Sequence, residues 1–168
     1  MFRRIPFLAL LFVAACATSA PVAKLRQPTT LPPIELLTLE GQPTNLTAAL
    51  GGRVAVVSLW ATWCEACAAE FDALSRLSER AGARGATVVA IAVGEKRDTV
   101  AAFVARRGLR YPQLVDEEFK LADALQQKRV PATLVVDREG RVTFVGGALD
   151  EQALAALRAA LDAQVAAR

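Results

Sequence analysis

Two cysteines separated by two residues are the side chains best suited to chemistry in this chain. Cys64 and Cys67 lie in the segment Trp63-Cys64-Glu65-Ala66-Cys67, where they can cycle between a dithiol and a disulfide. Zinc sites use the same spacing, but they need about four ligands, and the chain has no second such pair. A disulfide across so short a loop constrains little of the unfolded chain. We therefore expect redox chemistry, with no metal and no other cofactor.

Composition limits the alternatives further. The 168 residues contain no histidine, which excludes imidazole bases, Ser-His-Asp and Cys-His catalysis, and His-ligated zinc or haem. Hydrophobic residues make up 54% of the chain and charged residues 22%, which indicates one compact domain with a buried core. The formal net charge is +3 without a basic stripe, so we expect no nucleic-acid partner.

The elements around the cysteines predict different roles for the two thiols. Residues 54–60 form a nearly continuous apolar run, typical of a strand covered on both faces, and a long helix is predicted over residues 64–82. Cys64 would lie at the helix N-terminus, where free N–H groups stabilise a thiolate, and Cys67 would be more buried one turn later. This predicts that Cys64 attacks and Cys67 resolves the mixed disulfide.

The remaining pattern predicts an α/β sheet with helices on both faces. Strands and helices alternate: an edge strand over 34–39, a helical turn over 47–50, a strand over 87–93, a helix that Asp98 caps and Gly108 ends, a short helix over 119–125, hairpin strands over 132–136 and 142–145, and a final helix over 151–165.

The first residues have the pattern of an export signal. Residues 1–16 combine Arg3 and Arg4 with an apolar stretch too short to span a bilayer, and they end in Val13-Ala14-Ala15-Cys16. That ending resembles the bacterial lipoprotein box, which predicts lipidation of Cys16. Ordinary cleavage farther along, giving a soluble periplasmic protein, is the alternative. Residues 17–33 carry four prolines and predict an extended tether, leaving residues 34–168 as the domain.

Two motifs together carry a family resemblance. The segment Ser58-Leu59-Trp60-Ala61-Thr62-Trp63-Cys64-Glu65-Ala66-Cys67, followed later by Val130-Pro131-Ala132-Thr133, resembles the TlpA/ResA-like thiol–disulfide oxidoreductases. The resemblance implies a thioredoxin-like fold, with a central mixed sheet flanked by helices and an inserted α/β segment over residues 95–125. It also implies a cis Val130–Pro131 bond packed against the cysteines, and substrate contacts at Trp63, Glu65, Val130 and Pro131.

The same resemblance raises the question of the proton acceptor. Thioredoxins carry a buried aspartate six residues before the first cysteine, and here that position is Ser58. ResA-type members have a glutamate at the position of Glu70, one helical turn beyond Cys67. Apolar neighbours would raise its pKa and suit it to proton transfer. A surface glutamate without a role is the alternative.

The function implied is that of an extracytoplasmic reductase tethered to a membrane by a lipid anchor. Its client would be a disulfide-containing protein such as apocytochrome c, and its electron donor a membrane thiol transporter. We expect a monomer, although the sequence has no signal that fixes the oligomeric state. The alternatives are a disulfide oxidase, a thiol peroxidase and a non-enzymatic lipoprotein scaffold or binding protein.

Overall fold

The computed structural model describes residues 29–166. The predicted signal sequence over residues 1–16, the lipidation site Cys16 and residues 17–28 of the predicted tether lie outside the described residues. Within residues 29–166, no helix combines the length and apolar character that crossing a bilayer requires.

Within the described residues, the strands form one mixed sheet of eight strands. Its strands are β1 (Thr29–Thr30), β2 (Glu35–Thr38), β3 (Pro43–Asn45), β4 (Val54–Trp60), β5 (Ala86–Val93), β6 (Gln113–Asp116), β7 (Ala132–Val136) and β8 (Arg141–Gly146). The spatial order is β1-β8-β7-β4-β5-β6-β2-β3. Strands β4, β5 and β6 are parallel, and the other pairings are antiparallel.

Helices cover both faces of the sheet, as the sequence predicted. They are α1 (Leu46–Leu50), α2 (Glu65–Ala68), α3 (Phe71–Gly82), α4 (Arg97–Arg107), α5 (Lys120–Ala124) and α6 (Glu151–Ala166). Because strand side chains alternate, β4 sends Val56 and Trp60 into a core shared with α2, α3, α4 and α6. It sends Val57 and Leu59 into a second core, which α1 and α5 cover.

The folded part extends farther toward the N-terminus than predicted. Residues 29–33 were expected in the tether, but Thr29 and Thr30 pair with β8. Leu31 is buried, and its backbone N–H donates to the Gly140 carbonyl at 2.9 Å. The boundary at residue 34 is therefore wrong, because pairing with the start of β8 draws these residues into the sheet.

The edge of the sheet also differs from the prediction. Strand β2 is an internal strand, since it pairs with β6 on one side and with β3 on the other. The short polar strand β3 lacks the alternating apolar pattern by which a half-buried strand is recognised. It forms the edge in place of β2.

Local predictions for two helices are wrong. The helix expected over residues 64–82 is interrupted at Ala69 and Glu70, which separate α2 from α3. Asp98 lies in the first turn of α4 and is not its cap, because the N-cap residue is Lys96. The Glu117 carboxylate, from the end of β6, accepts a hydrogen bond from the Arg97 N–H at 2.8 Å and so satisfies this helix end.

Candidate active site

The two cysteines form a disulfide where β4 leads into α2. Cys64 is the N-cap residue of α2, and its Sγ accepts a hydrogen bond from the Cys67 N–H at 3.1 Å. That N–H donor would also stabilise negative charge on a reduced Cys64. Both side chains are buried, Cys64 at 7% exposure and Cys67 at 1%, so the predicted order of burial is confirmed.

The two tryptophans of the motif have different surroundings. Trp60 is buried in the core. Its ring centroid lies 5.2 Å from that of Phe71, in an edge-to-face arrangement, and 5.4 Å from that of Phe103. Trp60 is therefore a core aromatic residue. Trp63 is 69% exposed immediately before Cys64, where an incoming chain can reach it. Glu65 is exposed as the first residue of α2.

Glu95 is a residue of the site that sequence reasoning missed. Its carboxylate accepts hydrogen bonds from the Thr62 N–H, at 2.6 Å, and from the Thr62 hydroxyl. It therefore holds the loop that leads into Cys64. Glu95 follows β5, the parallel neighbour of β4, and the carboxyl ends of parallel neighbours meet at one edge of a sheet. The position of Glu95 just after a predicted strand next to β4 was therefore the sequence feature that could have identified it.

Glu70 is buried on the same side of the sheet as the disulfide, at 8% exposure. Its Oε1 accepts a hydrogen bond from the Leu149 N–H at 2.8 Å, whereas Oε2 has no hydrogen-bond partner among the described residues. Burial raises the pKa of Glu70, and the charge of Asp150 adds to this, while the Leu149 N–H opposes it. The predicted direction of the pKa shift is confirmed.

Further buried polar side chains lie on the same face of the sheet as Glu70. Burial raises the pKa of Tyr111 to about 12, and the Glu70 charge contributes to the shift. Thr133, Ser58 and Gln113 are all buried and lie on one row across the sheet, because Thr133 pairs with Ser58 and both Ser58 and Gln113 are in register with Ala90. A polar layer therefore lies between the sheet and the helices of this face.

The second motif lies at the same end of the sheet as the cysteines. The Val130–Pro131 peptide bond is cis, as predicted, and leads into β7 beside the end of β4. Val130 and Trp63 line a cavity of about 210 Å³ together with Phe119 and Lys128. Exposed Trp63 and Val130 thus border a common cavity beside the disulfide.

Comparison with known proteins identifies what the chain is similar to. Residues 29–145 match the AhpC/TSA family. The chain is 30% identical over 96 residues to the thiol-disulfide oxidoreductase ResA of Bacillus subtilis (strain 168), covering 57% of this chain and 54% of that protein. It is 31% identical over 113 residues to ResA of Geobacillus thermodenitrificans (strain NG80-2), covering 67% and 64%. The alignments thus span less than two thirds of these relatives' lengths.

The structural comparison establishes the fold. A solved thiol:disulfide interchange protein of the thioredoxin family from Chlorobium tepidum TLS superposes with a TM-score of 0.66 at 27% identity. The superposition covers 81% of this chain and 98% of that one. The predicted thioredoxin-like fold, a mixed sheet flanked by helices with an inserted α/β segment between β5 and β7, is therefore confirmed.

Proposed function

The chain belongs to the AhpC/TSA family, and on that premise we propose that it is a thiol–disulfide oxidoreductase that reduces disulfides in client proteins. The observation that carries the proposal is the Cys64–Cys67 disulfide at the start of α2, with exposed Trp63 beside it. The names of the ResA relatives support the same activity.

The reaction transfers two electrons from the Cys64/Cys67 dithiol to the client. The Cys64 thiolate attacks one sulfur of the client disulfide, and the other client sulfur leaves as a thiolate that takes up a proton. Cys67 then loses its proton and attacks Cys64 Sγ, which releases the second client thiol and forms the Cys64–Cys67 disulfide. The Cys67 N–H that contacts Cys64 Sγ favours the attacking thiolate.

Glu70 supplies the proton transfer in this proposal. Its raised pKa brings the carboxyl group closer to neutral pH, where a general acid and base works best. The Leu149 N–H holds Oε1, whereas Oε2 has no partner among the described residues and keeps an acceptor position open. Glu65 places a second carboxylate beside Cys64, where its charge opposes thiolate formation and so limits the oxidising power of the pair.

We further propose that the protein acts outside the cytoplasm, held to a membrane through lipidated Cys16. The sequence of residues 1–16 supports export, and the resemblance supports apocytochrome c as a client and a membrane thiol transporter as donor. Labelling with a radioactive fatty acid in bacteria tests the anchor: wild type should incorporate label and Cys16→Ser should not. Equal labelling of the two would overturn the anchor.

Measurement of the Cys64/Cys67 reduction potential against glutathione buffers tests the direction of electron flow. A reductase should lie near the thioredoxin potential of about −270 mV, whereas a value near about −120 mV would instead indicate an oxidase. The double substitution Cys64→Ala and Cys67→Ala should abolish reduction of a model disulfide substrate. Retained function in that variant would overturn the redox proposal and favour a scaffold.

A further inference from the structure

A groove between α3 and α6 lies outside the proposed redox site. It encloses about 480 Å³, and its floor is made of the partly buried side chains Leu77, Leu154 and Leu161. Four exposed arginines surround this floor: Arg76, Arg80, Arg84 and Arg158. Within the described part of the chain, no acidic side chain lines the groove. It therefore combines an apolar base with a rim of positive charge.

The four arginines of this rim form no ion pair within residues 29–166. The acidic side chains Asp72, Glu79 and Asp162 lie on the same two helices, but all three are exposed and none lines the groove. Arginine binds carboxylates in a two-pronged geometry, so a cluster of unpaired arginines favours an anionic occupant.

The spacing of the arginines indicates the form of that occupant. Arg76 and Arg80 lie four residues apart on α3, which separates them by about 6 Å along the axis. Acidic residues at positions i and i+4 of another helix repeat at the same distance, with apolar residues between them for the leucine floor. We propose that this groove docks an acidic amphipathic helix of a partner protein. A recessed floor between two helices fits such a helix better than it fits the flat surface of a bilayer.

The groove reaches the residue that holds Glu70. Leu149 lines the groove, and its backbone N–H donates the 2.8 Å hydrogen bond to Glu70 Oε1. A docked helix would therefore contact the segment that positions the buried carboxyl group. Docking itself does not depend on the cysteines, so it can be tested whether or not the proposed redox function holds.

A pair of synthetic helical peptides tests the proposal. One carries leucines on one face and glutamates spaced four residues apart beside them, and the other replaces each glutamate with lysine. The glutamate peptide should bind, as measured by fluorescence anisotropy, and should perturb the Leu149 amide resonance. Arg80→Glu should weaken this binding at least about tenfold, because it reverses a charge at the rim. Arg110→Glu, an exposed arginine outside the groove, is the matched control and should leave binding unchanged.

Three outcomes would overturn the proposal. Equal weakening by Arg80→Glu and Arg110→Glu would show non-specific attraction to a basic protein. Failure of the glutamate peptide to bind, with binding to phosphatidylglycerol vesicles in its place, would assign the groove to a membrane surface. Absence of binding to peptides and vesicles alike would remove the groove as a docking site. Repeating the titration with Cys64→Ala and Cys67→Ala together keeps this result separate from the redox activity.

Discussion

Glu70 and Asp116 are two buried carboxyl groups on opposite faces of the same sheet, and they differ in the number of hydrogen bonds that they accept. Asp116 is 3% exposed, and its Oδ2 accepts hydrogen bonds from the N–H groups of Leu121 and Ala122, at 2.9 and 3.0 Å. These bonds fix the first turn of α5. Glu70 has one such bond, to Leu149, and a second oxygen without a partner among the described residues. Burial raises the pKa of both groups.

The difference extends to the two cores around these residues. In the part of the chain that the structure describes, the buried side-chain atoms without a hydrogen-bond partner all belong to residues on the Glu70 face: Trp60, Glu70, Tyr111, Gln113 and Thr133. The core beneath α1 and α5 is aliphatic. A raised pKa alone therefore does not mark a reactive group. The free bonding capacity around Glu70 separates it from Asp116.

Replacing Glu70 by Gln tests the functional half of this comparison. The amide keeps an acceptor for the Leu149 N–H but cannot exchange a proton, so we expect disulfide reduction to slow about 100-fold. The pH dependence of thiol reactivity should also shift. Stopped-flow measurement of the reaction of reduced protein with a model disulfide, over a range of pH, checks both.

Asp72→Asn is the matched control, because Asp72 is an exposed carboxyl group on the same helix. It should leave the rate and the titration unchanged. If Glu70→Gln reacts within about twofold of wild type and titrates identically, Glu70 has no part in proton transfer.

Replacing Asp116 by Ala tests the structural half. The substitution leaves the N–H groups of Leu121 and Ala122 buried without their acceptor, so the free energy of unfolding should fall by about 2 kcal/mol. Urea denaturation measures the loss. The rate of disulfide reduction per folded molecule should stay at the wild-type value. A fall in that rate comparable to the one expected for Glu70→Gln would show that the two carboxyl groups do not differ in function. Asp123→Ala, at an exposed position in α5, should cost far less.

The smallest expected effect is the pH dependence of stability that Glu70 contributes. Because its folded-state pKa lies above 4.5, the folded chain keeps a proton that the unfolded chain releases as the pH rises past that value. The unfolding free energy of wild type relative to Glu70→Gln should therefore decrease as the pH rises from 4.5 through the folded pKa. Urea midpoints of both proteins at several pH values measure this. A wild type that becomes more stable relative to Glu70→Gln as the pH rises would contradict the prediction.

Those parts of the fold that depend on local pattern were predictable. The apolar runs of β4 and β5 identify buried strands, and Gly108 ends α4 in the left-handed conformation, at φ 65°. The cysteine pair was placed correctly for the same reason, because a strand leading into a helix is a local feature. Its position at the start of α2 and the order of burial both followed from that feature.

Features that depend on distant contacts were not predictable. The helix break at Glu70 has no proline or glycine to indicate it, and it coincides with a hydrogen bond to Leu149, 79 residues away in sequence. In the same way, Glu117 satisfies the N-terminus of α4 across 20 residues, so the nearby Asp98 was the wrong choice. The Glu95 contact with Thr62 also joins two elements that only the parallel pairing of β4 and β5 brings together.

The strand order also bears on how the protein avoids aggregation. Strands β4 and β5 are buried along their whole length, and such apolar segments pair readily with copies of themselves when exposed. Three strands lie between β4 and one edge of the sheet, and three lie between β5 and the other. The β3 edge has only three residues, and Pro43 has no N–H to offer a neighbour. The β3 edge is therefore a poor template for intermolecular pairing, and the two strands most prone to such pairing lie in the interior of the sheet.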